Sequence, residues 1–173
     1  GIDTKEKIYL VQGDLRNLED IEKIFQMSLT LKKGIESVIH FAGLKSVADS
    51  VISPLNYWDN NVNGTLNLLK IMKKYNCRNI VFSSSATVYK ANSYKLLKEN
   101  DPCEPINPYG NTKLNIERIL RDLYNSESSQ WRIACLRYFN PVGAHESGVI
   151  GEDPLEKPNN IYPQITRVAI GKL

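Results

Sequence analysis

The sequence predicts an α/β fold in which helices cover both faces of a parallel sheet. Two observations lead to this prediction. Short apolar segments alternate along the chain with longer amphipathic segments, which have the length of the crossover helices that join parallel strands. The short segments are also apolar throughout, as strands buried on both faces are, and do not alternate with polar residues.

Four apolar segments are predicted as strands, and each leads into small or polar residues. The segments are 8–11 before Gly13-Asp14, 37–43 ending in Phe41-Ala42-Gly43, 79–82 before Ser83-Ser84-Ser85, and 131–138 ending in Tyr138 before Phe139-Asn140.

Amphipathic spacing predicts the helices. Asn17 can cap the first helix, which ends near residue 31, and Asp59 or Asn60 opens the second, which closes near residue 75. Asn107 can cap the third, with Pro108 at the first helical position, where its missing N–H costs nothing.

Loops are predicted over 90–104 and over the Gly- and Pro-rich stretch 142–160. The last amphipathic segment, 161–173, begins a helix that we expect the end of the chain to cut off.

Composition argues against several classes of function. The 173-residue chain has a net charge of +3 and no run of five basic residues, which argues against nucleic-acid binding. No apolar run approaches the roughly 18 residues of a membrane span, and the N-terminus carries no signal peptide. Cys77, Cys103 and Cys135 lack metal-ligand spacing, and their odd number does not suggest a disulfide scaffold. We expect a reducing, cytoplasmic setting, no metal, and neither nucleic acid nor membrane as a partner.

The carboxyl ends of parallel strands lie at one edge of the sheet, so the predicted strand ends converge there. Ligands of such sheets bind at this edge. Tyr109 and Lys113 stand one turn apart at the start of the helix above this edge, and so lie on one helix face. There the ammonium can lower a phenol pKa that starts near ~10 and make the tyrosine a base. The alternative interpretation is a half-buried tyrosine beside a solvated lysine.

Several motifs also match a known family in order and spacing. Ser-Ser-Ser-Ala-Thr-Val-Tyr at 83–89 and Arg-Tyr-Phe-Asn-Pro-Val-Gly-Ala-His at 137–145 are the most specific, and the 109–113 Tyr-x-x-x-Lys pattern is the least. On these motifs the chain resembles the extended short-chain dehydrogenase/reductases and, within them, the UDP-glucose 4-epimerase family. Related dehydratases typically have an acidic pair in the first motif, and this chain has none. Further matches are 38–45, 59–65, 151–154 and 158–160.

The resemblance implies a partial Rossmann-type, doubly wound NAD-binding domain over 1–155 and the start of a UDP-sugar-binding region over 156–173. It implies interconversion of UDP-glucose and UDP-galactose through a 4-keto sugar with bound NAD, in galactose metabolism. A homodimer built on the helices near 59–75 and 108–124 is usual in the family.

The resemblance also implies residue roles. Tyr109 would take the proton of the sugar 4-hydroxyl, Lys113 would hold the nicotinamide ribose and depress the Tyr109 pKa, and Ser85 would hydrogen-bond the sugar oxygen. The alternative for Ser85 is a serine that caps the turn after its strand. The other implied cofactor contacts are Asp14, Leu15, Phe41, Ala42, Lys45, Asn60, Tyr138 and Phe139, and the other implied substrate contacts are Asn140 and Asn160.

Neither histidine is predicted to be catalytic. His40 lies inside an apolar run, so we expect a satisfied core histidine rather than a catalytic one. His145 follows the last predicted strand in a loop, and no role is assigned to it.

The family opens with a Gly-x-x-Gly-x-x-Gly loop for the NAD pyrophosphate, and this chain contains no such motif. Its first apolar segment corresponds to the family's third strand, so strands 1 and 2 are absent. We therefore expect that the 173-residue chain alone neither binds NAD tightly nor has measurable activity. Residues 1–14 would then pack irregularly or pair beside the strand at 37–43.

Two alternative functions stay open. The first is epimerisation of another UDP-sugar, an N-acetylhexosamine or a pentose. The second is a truncated relative without catalytic activity, although the intact Ser85, Tyr109 and Lys113 set favours an enzyme.

Overall fold

The structure is a computed structural model that describes residues 8–90, 96–126, 130–151 and 160–172. The described residues form two compact units, one ending at Arg137 and one beginning at Tyr138. The domain boundary expected at 155/156 lies outside the described residues and stays a prediction.

Helices and strands follow one another along the chain as the α/β prediction requires. In order they are α1 (Leu18–Thr30), β1 (Ser37–His40), α2 (Val47–Ile52), α3 (Pro54–Tyr57), a π-helical turn (Trp58–Asn63), α4 (Gly64–Lys74), β2 (Asn79–Ser85), a 3-10 turn (Ala86–Val88), α5 (Pro108–Ser126), β3 (Arg132–Tyr138) and α6 (Ile161–Ala169).

Two of the predicted helix starts are confirmed with their caps. The Asn17 side chain accepts a hydrogen bond from the Glu19 backbone N–H at 3.0 Å, and α1 begins at the next residue. Asn107 Oδ1 accepts from the Gly110 N–H at 2.8 Å, and Pro108 is the first residue of α5. Each cap satisfies a backbone donor that the first helical turn leaves unpaired.

The prediction that Asp59 or Asn60 opens a helix is wrong. The helical path already begins at Pro54, a residue suited to the first helical position, and reaches α4 through the π-helical turn. The Asn60 amide donates to the Asn56 carbonyl at 2.9 Å instead of capping a helix. The short helix α2, which the apolar spacing did not reveal, begins where Ser46 Oγ accepts from the Asp49 N–H at 3.2 Å.

The expectation that the end of the chain cuts off the last helix is also wrong. Helix α6 ends at Ala169, and Gly171 follows with a φ of +70°. A glycine with positive φ just after a helix is a common C-terminal stop, because it has no Cβ to strain that conformation.

The sheet confirms the α/β class with three of the four predicted strands. Its order is β1-β2-β3, and β1 and β2 run parallel with Ser37 opposite Asn79 and His40 opposite Phe82. The predicted strand at 8–11 does not form: Ile8 and Leu10 are 97% and 98% exposed. A strand needs a partner for its backbone groups, and within the described residues β1 pairs only with β2. Residues 8–14 are therefore irregular, and 1–7 lie outside the description.

The core lies on one face of this sheet. Ile80 and Phe82 of β2 form a single buried cluster with residues from α1, α4 and α5. On the opposite face, Ile39 is 66% exposed and Leu136 is 41% exposed. Helices were predicted on both faces of the sheet. Among the described residues up to Arg137, they cover one face only. Right-handed crossovers place their helices on the same face when successive strands add in one direction, and the order β1-β2-β3 never reverses.

Candidate active site

The structure brings Ser85, Tyr109 and Lys113 together at the carboxyl end of β2. Ser85 is the last residue of that strand, and its hydroxyl lies close enough to the half-buried Tyr109 to lower the pKa of that phenol. Lys113 is only 4% exposed, and its Nζ donates to the Ser83 carbonyl at 2.8 Å. The three groups expected to act together therefore share one site.

Gly110 permits this close approach of α5 to the end of β2. A Cβ at position 110 would lie 2.6 Å from the Thr87 carbonyl oxygen and 2.8 Å from Pro105 Cβ. Any larger residue would push the first turn of α5 away from the turn that follows Ser85. The glycine in the Tyr-Gly-x-x-Lys run therefore has a packing reason.

Lys113 is buried, so the alternative of a solvated lysine is wrong. Its Nζ lies 4.8 Å from the centroid of the Phe82 ring and 5.9 Å from that of Tyr109. Burial lowers its pKa from 10.5 to about 8, because the charged form loses hydration. The ammonium is still the main form at pH 7.

The pKa of Tyr109 is raised, which corrects the expectation that Lys113 depresses it. Burial is the main cause, and the hydrogen bond with Ser85 offsets it only in part. The Lys113 ammonium lies 5.9 Å from the centroid of the phenol ring and donates to the Ser83 carbonyl rather than to the phenol oxygen. The chain's own residues thus hold Tyr109 protonated at neutral pH.

Ser85 also caps a turn, as its alternative interpretation expected. Its Oγ accepts from the Thr87 N–H at 3.2 Å and from Thr87 Oγ1 at 2.9 Å, at the start of the 3-10 turn. A hydroxyl that accepts twice still has its own proton to donate. The two interpretations of Ser85 are compatible, because the turn fixes the oxygen while its proton can reach the Tyr109 side.

Asn61 is a positioning residue that the sequence analysis missed. It is 2% exposed, and its Oδ1 accepts from the Leu44 N–H at 2.8 Å. Its Nδ2 donates to the Leu44 carbonyl and to Thr112 Oγ1, each at 3.1 Å. Asn61 thus ties the loop after β1 to the first turn of α5. The sequence signal for Asn61 was an asparagine that follows Asn60 within an apolar helical pattern.

Gly43 keeps the narrow space beside Asn61 and Lys113 free of a Cβ. Its φ is +149°, and a Cβ there would lie 2.9 Å from Asn61 Oδ1 and 3.9 Å from Lys113 Nζ. The Lys113 ammonium has three donors, and the Ser83 carbonyl takes one of them. A narrow cradle with spare donors fits a hydroxyl-bearing group such as the ribose of a dinucleotide.

His40 is a core histidine, as predicted. It is 4% exposed, and its Nε2 lies 2.8 Å from Thr65 Oγ1, whose own proton goes to the Asn61 carbonyl at 2.5 Å. Nε2 is therefore the protonated nitrogen. Burial, helped by the Lys113 charge, lowers the His40 pKa to about 4.

The other residues predicted to contact the cofactor lie at exposed or half-buried positions. Asp14 is exposed and pairs with Arg16 at 2.6 Å, and hydrogen bonds from Arg16 lower its pKa to about 2. Arg16 also reaches Asp59 at 3.6 Å, next to Asn60. Phe41 is 65% exposed. Leu15 and Asn60 are half-buried, whereas Ala42 and Lys45 are exposed.

Four further predicted contacts belong to the second unit. Tyr138 ends β3 and is 39% exposed, and Phe139 is 63% exposed. Asn140 is exposed, and Asn160 is half-buried just before α6. Their roles, like those of the other cofactor contacts, stay predictions.

The described residues hold neither a metal-binding cluster nor a helix suited to a membrane. Over residues 8–90, 96–126, 130–151 and 160–172, no cluster of three His, Cys, Asp or Glu side chains could hold a metal ion. Over the same ranges, no helix combines the length and apolar character needed to cross a membrane. Cys77, Cys103 and Cys135 are not in disulfides.

Comparison with known proteins gives a family match over almost the whole chain. The model of the NAD dependent epimerase/dehydratase family matches residues 2–170. A pea protein described as a bifunctional UDP-glucose 4-epimerase and UDP-xylose 4-epimerase 1 is 50% identical over 173 residues, which is 100% of this chain and 48% of that protein. A UDP-glucose 4-epimerase of Bacillus subtilis is 48% identical over 98% of this chain and 48% of its own length.

A solved structure shares the fold. The crystal structure of UDP-glucose 4-epimerase from Bifidobacterium longum, in complex with NAD+ and UDP, aligns with a TM-score of 0.84 at 47% identity. The alignment covers 98% of this chain and 49% of that one. The chain thus spans about half the length of the relatives that it matches.

Proposed function

The chain belongs to the NAD dependent epimerase/dehydratase family, and from this premise we propose that it carries the acid–base groups of a UDP-glucose 4-epimerase. The observation that carries the proposal is the placement of Ser85 and the buried Lys113 beside Tyr109, with Lys113 Nζ 5.9 Å from the centroid of the phenol ring. A phenol, a hydroxyl and an ammonium at one strand end form a set that can move a proton to and from a sugar hydroxyl.

Tyr109 is the proposed base for the 4-hydroxyl of the sugar. Its phenol oxygen accepts that proton as C4 becomes a carbonyl, and returns a proton when the carbonyl is reduced from the other face. Ser85 holds the same sugar oxygen by a hydrogen bond. NAD, when bound, supplies a reversible hydride acceptor and a positive charge near the phenol.

Lys113 is proposed to hold the nicotinamide ribose with the donors that Ser83 leaves available. Because burial raises the Tyr109 pKa in the chain itself, deprotonation near neutral pH needs added positive charge at the site. The bound cofactor is the proposed source of that charge.

The remaining predicted contacts complete the proposal. Asp14 and Leu15 would meet the adenine side of NAD, and the other cofactor contacts would lie along its phosphates, ribose and nicotinamide. The proposed cofactor set is Asp14, Leu15, Phe41, Ala42, Lys45, Asn60, Tyr138 and Phe139, and Asn140 and Asn160 complete the UDP-sugar set. A role in galactose metabolism, a cytoplasmic setting and a homodimer belong to the same proposal.

A second candidate is 4-epimerisation of a UDP-pentose. The pea relative, at 50% identity, is described as acting on both UDP-glucose and UDP-xylose. One site could serve both sugars, because the two differ at C5 and share the reacting C4 hydroxyl. The two candidates share Tyr109, Lys113 and Ser85 in the same roles.

We further propose that the 173-residue chain alone binds NAD weakly and does not turn over. The sequence holds no Gly-x-x-Gly-x-x-Gly loop to present backbone N–H groups to the pyrophosphate. Titration calorimetry with NAD tests this directly. Micromolar affinity in the 173-residue chain would overturn it.

The catalytic proposal is tested by measuring interconversion of UDP-glucose and UDP-galactose, with UDP-xylose in parallel, by the longest protein that the reading frame encodes. We expect turnover of the hexose pair, and we expect Ser85→Ala to lower kcat by about 10²-fold, the typical cost of losing one donor to a reacting oxygen. Ser126→Ala, at the far end of α5, is the matched control. Absence of turnover, or equal rates for the two serine variants, would contradict the proposal.

A further inference from the structure

Glu117 continues the helix face that carries Tyr109 and Lys113. It lies one turn beyond Lys113 on α5, so the three side chains form one stripe. Glu117 is only 5% exposed, and its Oε1 accepts from Ser84 Oγ at 2.5 Å. A buried carboxylate thus holds the residue immediately before Ser85.

Arg137 of β3 holds this carboxylate in place. Its Nε donates to Glu117 Oε1 at 3.0 Å and its Nη2 to Oε2 at 2.7 Å, in a two-pronged contact. Its Nη1 donates to the Glu99 carbonyl at 3.0 Å, and the guanidinium lies 4.7 Å from the centroid of the Tyr89 ring. Burial would raise the Glu117 pKa, but the hydrogen bonds of Arg137 and Ser84 outweigh burial and lower it.

Stability alone is a weak reason for such a pair. Removing two charges from water costs about as much as their attraction returns, so an apolar pair of similar volume often serves a fold as well. A fixed ion pair can instead hold the helix and the strand that it joins in one defined arrangement. Here it joins α5, β2 and β3 beside the candidate site.

Each of the three serines at the end of β2 is engaged by α5. Lys113 Nζ donates to the Ser83 carbonyl, Ser84 Oγ donates to Glu117, and the Ser85 hydroxyl lies beside Tyr109, where it lowers the pKa of the phenol. Of these contacts, the one to Glu117 is the only one whose helix partner is itself fixed by a second strand, through Arg137. Glu117 therefore links the residue before Ser85 to β3.

We propose that Glu117, fixed by Arg137, is a positioning residue that sets α5 against β2 through Ser84 and so holds the Ser85 hydroxyl at the Tyr109 phenol. The inference rests on the proposed function, because it assigns the Ser85–Tyr109 pair as the reacting pair. It adds three residues, Ser84, Glu117 and Arg137, to the proposed site.

The test is a pH titration of the Tyr109 phenol in the 173-residue chain, measured by tyrosinate absorbance. Subtracting the titration of the same chain with Tyr109→Phe removes the signal of the other tyrosines. The hydrogen bond from Ser85 lowers this pKa, so a misplaced Ser85 raises it. We expect Ser84→Ala and Glu117→Gln each to raise the midpoint of the Tyr109 titration, and we expect Ser85→Ala to raise it as well. Ser84→Ala and Ser85→Ala together should shift it no further than Ser85→Ala alone.

Glu22→Gln is the matched control, since Glu22 also bonds a cation and a hydroxyl, Lys74 and Tyr75, but far from α5 in sequence. It should leave the Tyr109 midpoint unchanged. Ser84→Ala keeps the Glu117–Arg137 pair intact, so it serves even if Glu117→Gln unfolds the chain. A Ser84→Ala midpoint equal to wild type, with Ser85→Ala shifted, would overturn the inference.

Turnover supplies the second readout. In the protein that shows epimerase activity, Ser84→Ala should lower kcat about tenfold with KM unchanged, because it misplaces a reacting group without touching a binding contact. The phenol titration needs no turnover. Absence of epimerase activity would contradict the proposed function. The titration would still decide whether Glu117 positions Ser85.

Discussion

The two faces of the three-stranded sheet differ sharply. On the covered face, Ile80 and Phe82 are 2% and 0% exposed and pack against α4 and α5 in one core. On the open face, Ile39 and Leu136 are 66% and 41% exposed. Both faces are apolar in sequence, so side-chain type does not decide which one is buried. The direction in which successive strands add decides it, because it sends both crossover helices to one side.

This difference also locates the chemistry. The helix that carries Tyr109, Lys113 and Glu117 packs on the covered face, and it is the only long helix that begins at the strand end bearing Ser85 among the described residues up to Arg137. The covered face thus supplies both the packing and the low-polarity surroundings that shift the Tyr109 and Lys113 pKa values.

The largest expected effect on stability comes from a matched leucine pair. Leu120→Ala removes a side chain that is 0% exposed, and Leu136→Ala removes one on the open face. We expect the first to lower the free energy of unfolding by about 2–5 kcal/mol, the range for a buried leucine, and the second by less than ~1 kcal/mol. Urea unfolding of both variants measures the difference. Equal losses would show that the open face is covered in solution.

A smaller effect is expected in acid. The His40 pKa is about 4 in the folded chain, against an ordinary 6.5, so between these values the unfolded chain binds more protons. Stability from this group is therefore present above pH 6.5 and lost as the pH falls toward 4, by about 3 kcal/mol in total. Unfolding of His40→Gln, which can keep a donor toward Thr65, should depend less on pH over this interval.

The control for the acid effect is His145→Gln. His145 is exposed in a loop, where its Nδ1 lies 2.8 Å from Ser147 Oγ. The profile of this variant should follow that of the wild type. If His40→Gln loses as much stability between pH 6.5 and 4 as the wild type does, another group carries the acid sensitivity.

The smallest expected effect separates two helix caps. Asn17→Ala and Asn107→Ala each remove one capping hydrogen bond and should each cost about 1 kcal/mol. In the protein that shows epimerase activity, only Asn107→Ala should also reduce turnover, because Asn107 fixes the turn of α5 that holds Tyr109. Paired melting and rate measurements distinguish the two, and a rate loss in Asn17→Ala would contradict the separation.

Local sequence signals correctly predicted the helix N-termini that have a capping residue or a proline. Asn17, and Asn107 with Pro108, mark their helices because a side-chain acceptor or a missing N–H acts within one turn. The strand at 8–11 was mispredicted because its formation depends on a partner strand and not on its own residues. The π-helical turn that places Asn61 was likewise invisible, since apolar spacing alone does not distinguish it from an α-helix.

The candidate site shows the same division. The spacing of Tyr109 and Lys113 correctly predicted a shared helix face. The sign of the Tyr109 pKa shift was mispredicted, because it depends on burial and on which acceptor the Lys113 ammonium finds. Glu117 went unnoticed, although it continues the same stripe, because its partner Arg137 is distant in sequence.

The central claim is that Tyr109 is the base at the sugar 4-hydroxyl. The most direct test is kcat for UDP-galactose conversion by Tyr109→Phe in the longest protein that the reading frame encodes. The control is Tyr124→Phe, which removes a phenol hydroxyl from a 46% exposed position on the same helix. We predict a loss of about 10³-fold for Tyr109→Phe, within the range for a general base, with unchanged melting and a wild-type rate for Tyr124→Phe. Equal rates for the two variants would contradict the assignment.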